Sequence, residues 1–350
     1  MVVKVSKPEL NLREKISELD KPSGVAGEAM LRAETPQEQF NLIGAGRRNL
    51  LINGDFQVSQ RGVYTSAGTM PNAYVLDRWL CDRNGTATVQ HTSGHDIPGT
   101  PAICKAIKLV QTVTGNNYLG VRQKIENPTQ YVGRTITYSA WVRSNTPNAR
   151  IEWYTQGTTQ TAIGPAHSGN GEWEYLSFTA TMTGNPSTNW YVDAFIDNGA
   201  YSNTTITAGD FIEVTMLQLE IGKVATPFEH RSYGEELALC QRYYQKFFDE
   251  AASTGQVILM GLNSGLGQIA WWPSVEMRAR PTVGVTDTTP YWESYPWNTV
   301  GTGMTISTIS NGHLSRSGGE IGVYAAYNPI LVRGTNYTMT GEVIYFDAEL

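Results

Sequence analysis

A two-residue alternation of apolar and polar side chains governs this chain from Arg48 onward. The clearest example is Thr135–Arg143, which reads TITYSAWVR. Ile136, Tyr138 and every second residue after them fall on one face of an extended chain, while polar residues and Trp141 fall on the other. Such alternation is typical of a half-buried antiparallel strand. Similar runs, separated by clusters of Gly, Asn and Pro, predict a mainly β protein containing a β-sandwich, with a jelly roll as the favoured topology.

The composition agrees with that fold class and limits the partners. Charged residues make up 17% of the 350 residues, below the roughly 25% of an ordinary soluble domain, and uncharged polar residues take their place. The 26 Lys and Arg residues against 32 Asp and Glu residues give a net charge of -6, which repels phosphate backbones, so nucleic acid is not expected as a partner. No apolar run approaches the roughly 18 residues of a membrane span, so we expect no membrane insertion and synthesis in the cytoplasm.

Residues 1–47 depart from the alternation and carry helix signals. Ser6 and Glu9 form one capping box, and Thr35, Pro36 and Glu38 begin another short helix. Helices this short are marginal without a partner surface. We therefore expect this segment to dock on a partner surface or to oligomerise through its apolar residues Leu12, Ile16, Leu19, Phe40, Leu42 and Ile43.

A second departure lies at residues 232–248. Ser232 and Glu235 form a capping box, and an apolar stripe follows at helical spacing. This pattern predicts a linking helix between a jelly roll at residues 48–231 and a smaller β-sandwich at residues 249–350, which we expect to be distal and receptor-facing. The stripe consists of Leu237, Cys240, Tyr244 and Phe247.

The usual catalytic and phosphate-binding motifs are missing from the sequence, so no catalytic residue and no cofactor is expected. Gly265–Ala270 fits the G-x-G-x-x-A dinucleotide fingerprint, but Trp271, Trp272 and Pro273 follow it instead of a helix. Because a pyrophosphate needs that helix N-terminus, a glycine-rich β-turn is favoured here.

Metal and glycosidase chemistry receive weak support. His91 and His95 have the spacing of metal ligands on a helix, but the intervening Gly94 and the nearby Pro98 favour a loop, and no metal site is expected. Two pairs of acidic residues have a spacing that any half-exposed strand can show. They leave a glycan depolymerase open as an alternative function. These pairs are Glu172 with Glu174, and Asp193 with Asp197.

Aromatic residues form the most informative group, with 9 Trp and 18 Tyr in a chain of few charges. Sugar rings stack on such side chains, although the same residues also fill sandwich cores. The segment between Pro290 and Asn298 stands apart because its two prolines predict a loop rather than a strand. We expect a glycan-binding platform there, with a second candidate, Trp141, on the jelly roll. The loop candidates are Trp292, Glu293, Tyr295, Trp297 and Asn298.

Three stretches resemble proteins of one kind. Asn49–Gly62 (NLLINGDFQVSQRG) is similar to the opening of tail-fibre and related virion proteins of tailed bacteriophages, notably cyanobacterial phages. Leu217–Lys246 resembles the signature that closes their jelly roll, and Val275–Val283 with Phe346–Leu350 resembles their C-terminal domain.

The resemblance implies a carbohydrate-binding-module-like jelly roll carried on a virion. It also implies a homo-oligomer, commonly a trimer, joined to another virion protein through residues 1–47. Some jelly rolls of this kind hold a structural calcium ion, but Met216–Leu219 lacks the aspartate pair often found on the last strand, so none is expected. We expect a tail fibre or tail adhesin that binds host glycan; the alternative is a structural decoration of the capsid or neck.

Overall fold

The structure, a computed structural model, describes the chain from residue 48 to residue 349 with gaps. In the strands of residues 256–271 and 285–344, and at residues 156–157 and 186–188, it describes the backbone alone. Residues 1–47, with the predicted docking residues from Leu12 to Ile43, lie outside the described residues. The others outside are residues 65–66, 72, 96, 98–103, 116–117, 158–159, 184–185, 198–204, 247–255, 258, 264–265, 286–290, 295–298, 302–305, 311–318, 326–336, 341–343 and 350.

The alternating part of the chain folds into strands as far as Ile221. They are β1 (Gly68–Thr69), β2 (Ala73–Leu76), β3 (Trp79–Asn84), β4 (Ala87–Ser93), β5 (Lys105–Gln111), β6 (Tyr118–Ile125), β7 (Thr135–Ser144), β8 (Ala149–Gly157), β9 (Gln160–Ala166), β10 (Trp173–Thr181), β11 (Pro186–Asp197) and β12 (Phe211–Ile221). A 3₁₀ turn at Pro128–Tyr131 joins β6 to β7.

These strands form two six-stranded antiparallel sheets, in the orders β1-β4-β5-β12-β7-β10 and β2-β3-β6-β11-β8-β9. Their inner faces share one core, in which Tyr138 from the first sheet and Trp153 and Trp190 from the second are fully buried. The predicted inward face of β7 is buried throughout. The mainly β class and the sandwich predicted from the alternation are therefore confirmed.

The helix after the sandwich is shorter than predicted. Helix α1 (Tyr233–Gln241) begins with the expected capping box, in which the Glu235 amide donates to Ser232 Oγ at 3.4 Å and the Ser232 amide donates to Glu235 Oε2 at 3.2 Å. Its predicted end at Phe248 is wrong, because Tyr244–Lys246 forms strand β13. This strand finds its hydrogen-bond partner in the last strand of the chain, a pairing that helical spacing cannot reveal.

The rest of the chain is again β, as expected. Its strands are β14 (Gln256–Val257), β15 (Leu259–Asn263), β16 (Leu266–Trp271), β17 (Thr282–Val285), β18 (Tyr291–Ser294), β19 (Thr299–Gly301), β20 (Ile306–Ser310), β21 (Gly319–Ala325), β22 (Tyr337–Thr340) and β23 (Ile344–Asp347). Together with β13 they form three sheets, ordered β13-β23-β17, β14-β22-β18-β19 and β15-β16-β21-β20. The G-x-G-x-x-A segment thus enters a strand, while the domain boundaries at residues 231 and 249 stay predictions.

A buried polar contact set joins the first two of the stretches that carry the resemblance. Asn49 Nδ2 donates to the Leu217 carbonyl at 3.0 Å, which fastens the first described residues to β12. Asn53 is fully buried, and its backbone amide donates to a carboxylate oxygen of Glu236 on α1. Arg231 donates to the Leu51 carbonyl at 3.0 Å and to Glu236 at 3.3 Å. These motif residues therefore hold the fold together.

The end of β23 is held by a second set of contacts, which we call the terminal ion-pair network: Arg61, Arg78, Asp347 and Glu349. Arg78 is 1% exposed and pairs with Glu349, and its guanidinium lies 3.5 Å from the centroid of the Tyr243 ring. Arg61 pairs with Asp347 at 3.0 Å and with Glu349 at 3.3 Å. The sandwich and the three-stranded sheet therefore meet across charged groups that water barely reaches.

Removing one member of this network is expected to be costly. Glu349→Ala leaves the Arg78 guanidinium buried without its carboxylate, so we expect the free energy of unfolding to fall by about 3–5 kcal/mol in urea denaturation. The matched control is Glu172→Ala, because Glu172 is exposed on the sandwich. The double variant Arg78→Met, Glu349→Leu removes both charges and is expected to recover most of the loss. Equal midpoints for Glu349→Ala and the control would contradict this account of the network.

Candidate functional site

A row of charged side chains crosses the outer face of the second sheet. Alternation along β6, β11 and β8 turns Arg122, Asp193 and Glu152 away from the core, since their sequence neighbours are core residues. The strand register places Arg122 opposite Asp193, and Asp193 opposite Glu152. Cβ atoms of such directly opposed residues lie about 4.5–5.5 Å apart. Three adjacent strands thus bring one cation and two carboxyl groups together.

A hollow lies beside this row because Gly120 has no side chain. A Cβ atom there would lie 2.5 Å from the Ala194 carbonyl oxygen and 2.5 Å from the Phe195 Cβ, so any side chain would collide with β11. The hollow has a volume of about 140 Å³. We call it the sheet-face cleft. It is lined by Asp82, Tyr118, Gly120, Val121, Arg122, Glu152, Asp193, Phe195 and Asp197.

The Arg122 guanidinium is the fixed centre of the sheet-face cleft. Its Nε donates to both carboxylate oxygens of Asp193, at 2.9 and 3.1 Å, and its Nη2 donates to the second of them at 2.9 Å. Its Nη1 lies 2.6 Å from Asp82 Oδ2. Burial alone would lower the pKa of Arg122, but the charges of Asp193 and Asp82 raise it above its usual value. All three guanidinium nitrogens are therefore engaged.

Glu152, by contrast, lacks a cation of its own. It is 7% exposed, and its Oε2 has no hydrogen-bond partner among the described residues. Burial, followed by the charge of Asp193, raises the pKa of Glu152 to about 8. Burial also raises the pKa of Asp193, to about 6, although Arg122 opposes the shift. Burial thus favours the neutral form of both carboxyl groups, and more strongly for Glu152 than for Asp193.

Aromatic rings border the charged row. Tyr118 is 37% exposed and donates its hydroxyl to Asp82 at 3.0 Å. Tyr154 and Tyr191 stack with ring centroids 4.9 Å apart and an interplanar angle of 25°. The Arg122 guanidinium lies 5.3 and 5.2 Å from these two centroids. Flat apolar surfaces and hydrogen-bonding groups therefore occur side by side.

This combination offers contacts to a bound molecule. Among the residues that the structure describes, no three His, Cys, Asp or Glu side chains come close enough to hold a metal ion. Both oxygens of Asp193 accept hydrogen bonds from Arg122, so this carboxylate is poorly placed to attack a substrate. The exposed ring of Tyr118 and the neighbouring polar groups can instead contact a bound molecule.

The predicted candidate Trp141 lies on the other sheet, half-buried rather than open. Its ring packs against a small separate core that includes Cys104 and Met216, and lies 5.4 Å from the ring of Tyr175. Residues 222–231 cross this outer face, where Thr137 Oγ1 donates to the Gly222 carbonyl at 2.9 Å. A glycan contact by Trp141 stays a prediction.

The described part of the predicted C-terminal platform is a strand, not the loop that its prolines suggested. Trp292 and Glu293 lie in β18, which pairs with both β19 and β22. The prolines flank this strand rather than interrupt it, so the aromatic residues can pair as ordinary strand formers. Their side chains, and all of Tyr295, Trp297 and Asn298, lie outside the described residues, and their binding role stays a prediction.

The histidine pair and the Glu172–Glu174 pair do not converge on a site. His91 lies in β4, where its Nδ1 accepts the Tyr64 amide at 2.9 Å, and His95 Nε2 lies 3.1 Å from Glu213. Glu174 accepts hydrogen bonds from Ser168. Asp193 and Asp197 do share a strand face, and both line the sheet-face cleft.

Sequence reasoning missed the other half of the cleft. Arg122 and Glu152 lie on strands whose alternation is readable, yet which strands pair, and in which register, is not. The sequence of β6 offers one signal: a charged residue lies near the middle of its outward-facing positions, and a glycine occupies the outward-facing position before it.

Replacing Glu152 by its neutral isostere tests the electrostatics of the cleft. A carboxyl group with a raised pKa contributes stability that is complete below its unfolded pKa, near 4.5, and is lost as the pH rises through about 8. We therefore expect Glu152→Gln to match the parent protein at pH 5 and to exceed its unfolding free energy at pH 9 by on the order of 2 kcal/mol. Glu172→Gln is the matched control. A difference independent of pH would contradict the proposed protonation of Glu152.

No protein-family model and no curated protein matches this sequence. Solved structures with partial likeness include the enzymatically active domain of bacteriophage CBA120 tailspike protein 4, at 13% identity and a TM-score of 0.34, covering 50% of this chain and 21% of that one. The carbohydrate-binding module TmCBM61, solved with β-1,4-galactotriose, gives 12% identity, a TM-score of 0.31, and coverages of 50% and 100%. The Stig cyclase Fisc from Fischerella sp. TAU gives 10% identity, a TM-score of 0.35, and coverages of 51% of this chain and 100% of that one. This chain thus spans about a fifth of the tailspike chain. Likenesses this low assign no family, ligand or activity.

Proposed function

We propose that this chain is a glycan-binding adhesin of a tailed-phage particle and that the sheet-face cleft is its sugar site. The observation that carries the binding proposal is the junction of the open Tyr118 ring with a hollow lined by carboxyl groups. The phage assignment rests on the three sequence stretches that resemble virion proteins. Tail fibre is the preferred location, and a purely structural decoration of the capsid or neck is the alternative.

The chemistry of a sugar matches the two kinds of surface in this cleft. A sugar ring presents a C–H face that packs on an aromatic ring, as the 37% exposed ring of Tyr118 allows. Its hydroxyl groups need hydrogen-bond partners when water is displaced, and Asp82, Glu152 and Asp197 line the hollow within which they would lie. The ionic contacts between Arg122 and Asp193 keep this surface rigid, which lowers the entropic cost of binding.

Attachment and valency follow from the segment before the sandwich. We propose that residues 1–47 dock on another virion protein and gather the chain into an oligomer, a trimer being the simplest form. Several clefts held on one particle raise the effective concentration of each site, so weak contacts can sum to firm adhesion. The same proposal makes the protein non-catalytic, and released sugar after incubation with host polysaccharide would show a depolymerase instead.

The cleft is tested by removing its rings. We expect the double variant Tyr118→Ala, Tyr191→Ala to lose glycan-array signal and cell adsorption at least tenfold, since two stacked rings contribute about 1–3 kcal/mol beyond their buried area. The matched control is Tyr175→Ala, a 44% exposed tyrosine beside Trp141 on the opposite sheet. Thermal melting of each variant separates lost binding from lost folding.

The same assay locates the site if the cleft is the wrong one. Full binding by the Tyr118, Tyr191 variant would exclude the cleft. Loss of binding by Tyr175→Ala would then place the site on the Trp141 face, and loss by Trp292→Ala with Trp297→Ala would place it in the C-terminal sheets.

The attachment role is tested separately by deleting residues 1–47. Because the sandwich has its own core, we expect the truncated protein to melt within a few degrees of the full chain. Complementation of a phage lacking the gene should then yield particles without the truncated protein, as seen by immunoblot of purified virions. Normal incorporation would show that another part of the chain docks.

A further inference from the structure

Glu152 occupies an unusual position in the charged row of the sheet-face cleft. The guanidinium that could neutralise it is committed elsewhere, since Arg122 directs Nε and Nη2 to Asp193 and Nη1 to Asp82. On its other side, β9 places Ile163 opposite Glu152, which offers no polar group. One carboxyl oxygen, Oε2, is buried without a partner. The site therefore solvates a charge on Glu152 poorly.

The charged groups around Glu152 act on its ionisation in opposite directions. Asp193 and Asp197 on β11 disfavour its ionisation, whereas Arg122 on β6 and Arg150 on its own strand favour it. The other titratable groups of the surrounding elements are Asp82 on β3, Tyr118 and Lys124 on β6, Tyr138 on β7, Tyr154 on β8 and Tyr191 on β11. Burial is thus the deciding effect, and it favours the neutral acid.

We propose that the sheet-face cleft selects an uncharged sugar unit and that Glu152, as a protonated carboxylic acid, donates a hydrogen bond to one of its oxygens. This inference rests on the proposed glycan-binding function and adds a ligand class to it. A protonated acid is a donor, whereas the ionised carboxylates beside it can only accept. The cleft thereby offers both kinds of hydrogen-bonding group to the alternating donors and acceptors of a sugar hydroxyl.

Anionic sugars fit the same cleft badly. A uronate carboxylate would lie near Asp82, Asp193 and Asp197, while the one guanidinium lining the cleft already has all three nitrogens engaged by carboxylates. Like charges in a site of low dielectric repel strongly, and no cation among the described residues that line the cleft is free to offset them. The arrangement therefore discriminates by charge as well as by shape.

A donor that must stay protonated makes binding depend on pH. Below the pKa of Glu152, which burial raises to about 8, the donor is present. Above it the ligand must recover the proton, so affinity is expected to fall about tenfold per pH unit. The neighbouring tyrosines do not share this transition, because burial raises the pKa of Tyr118, Tyr154 and Tyr191.

The test uses the full chain and matched pairs of probes. Neutral hexose trisaccharides (gluco, galacto and manno) and the corresponding hexuronate trisaccharides are printed on one array, and the strongest neutral binder is titrated by calorimetry at pH 6.5, 8.0 and 9.5. We expect binding to neutral chains only, and an affinity about 30-fold lower at pH 9.5 than at pH 6.5. Circular dichroism at each pH confirms that the protein stays folded.

Two variants separate the donor from the fold. In Glu152→Gln the amide still donates but does not ionise, so the affinity should no longer vary across this pH range. Glu172→Gln, on an exposed residue, should keep the parent profile. If Glu152→Gln does not fold, the pH profile of the parent protein decides alone.

The outcomes distinguish this inference from the function it rests on. A flat pH profile for the parent protein, or stronger binding to hexuronates, overturns the inference and leaves glycan binding intact. Loss of neutral-sugar binding in the Tyr118, Tyr191 variant supports the cleft itself. A folded protein that binds none of these sugars at any pH overturns both.

Discussion

The ion pair between Arg78 and Glu349 lies where the sandwich, the turn after α1 and the segment after β23 come into contact. Arg78 follows β2 in the sandwich, Glu349 follows β23, and the Tyr243 ring beneath the guanidinium comes from the turn after α1. A charge this deeply buried is tolerated only with its partner in place, so each of these elements must arrive correctly for the others to be stable. Such an interaction gives the fold specificity more than net stability, because apolar residues of the same shape could stabilise it equally well.

The same dependence of distant segments on one another explains why the stretches that resemble virion proteins stand out in the sequence, although they lie away from the proposed binding site. Asn49, Asn53 and Arg231 make hydrogen bonds to backbone carbonyl groups of distant segments. A side chain that replaces missing backbone partners cannot be exchanged freely. The cleft residues face outward, and their ionic contacts join neighbouring strands of one sheet.

Local patterns predicted the fold where the deciding interactions were local. The alternation of Thr135–Arg143 predicted the faces of β7, and the Ser232–Glu235 capping box predicted the start of α1. Non-local pairing decided the rest. Tyr244 fits a helical stripe, but β23 supplies it with a strand partner, and the register that joins Arg122 to Asp193 and Glu152 exists only once three strands have paired. Even so, Asp193 and Asp197 were recognised as a pair on one strand face.

The fastening of the first described residues to β12 has a mechanical consequence. Asn49 bonds to the carbonyl of Leu217 and the amide of Leu219, and the Leu50 amide donates to the Leu219 carbonyl at 2.8 Å. Strand β12 lies between β5 and β7 in the interior of its sheet. A pull on the chain at residue 48 is therefore delivered to an interior strand through several hydrogen bonds loaded together, rather than peeling an edge strand one bond at a time. A tether that enters a sandwich in this way can bear tension while the opposite sheet, which carries the cleft, keeps its shape.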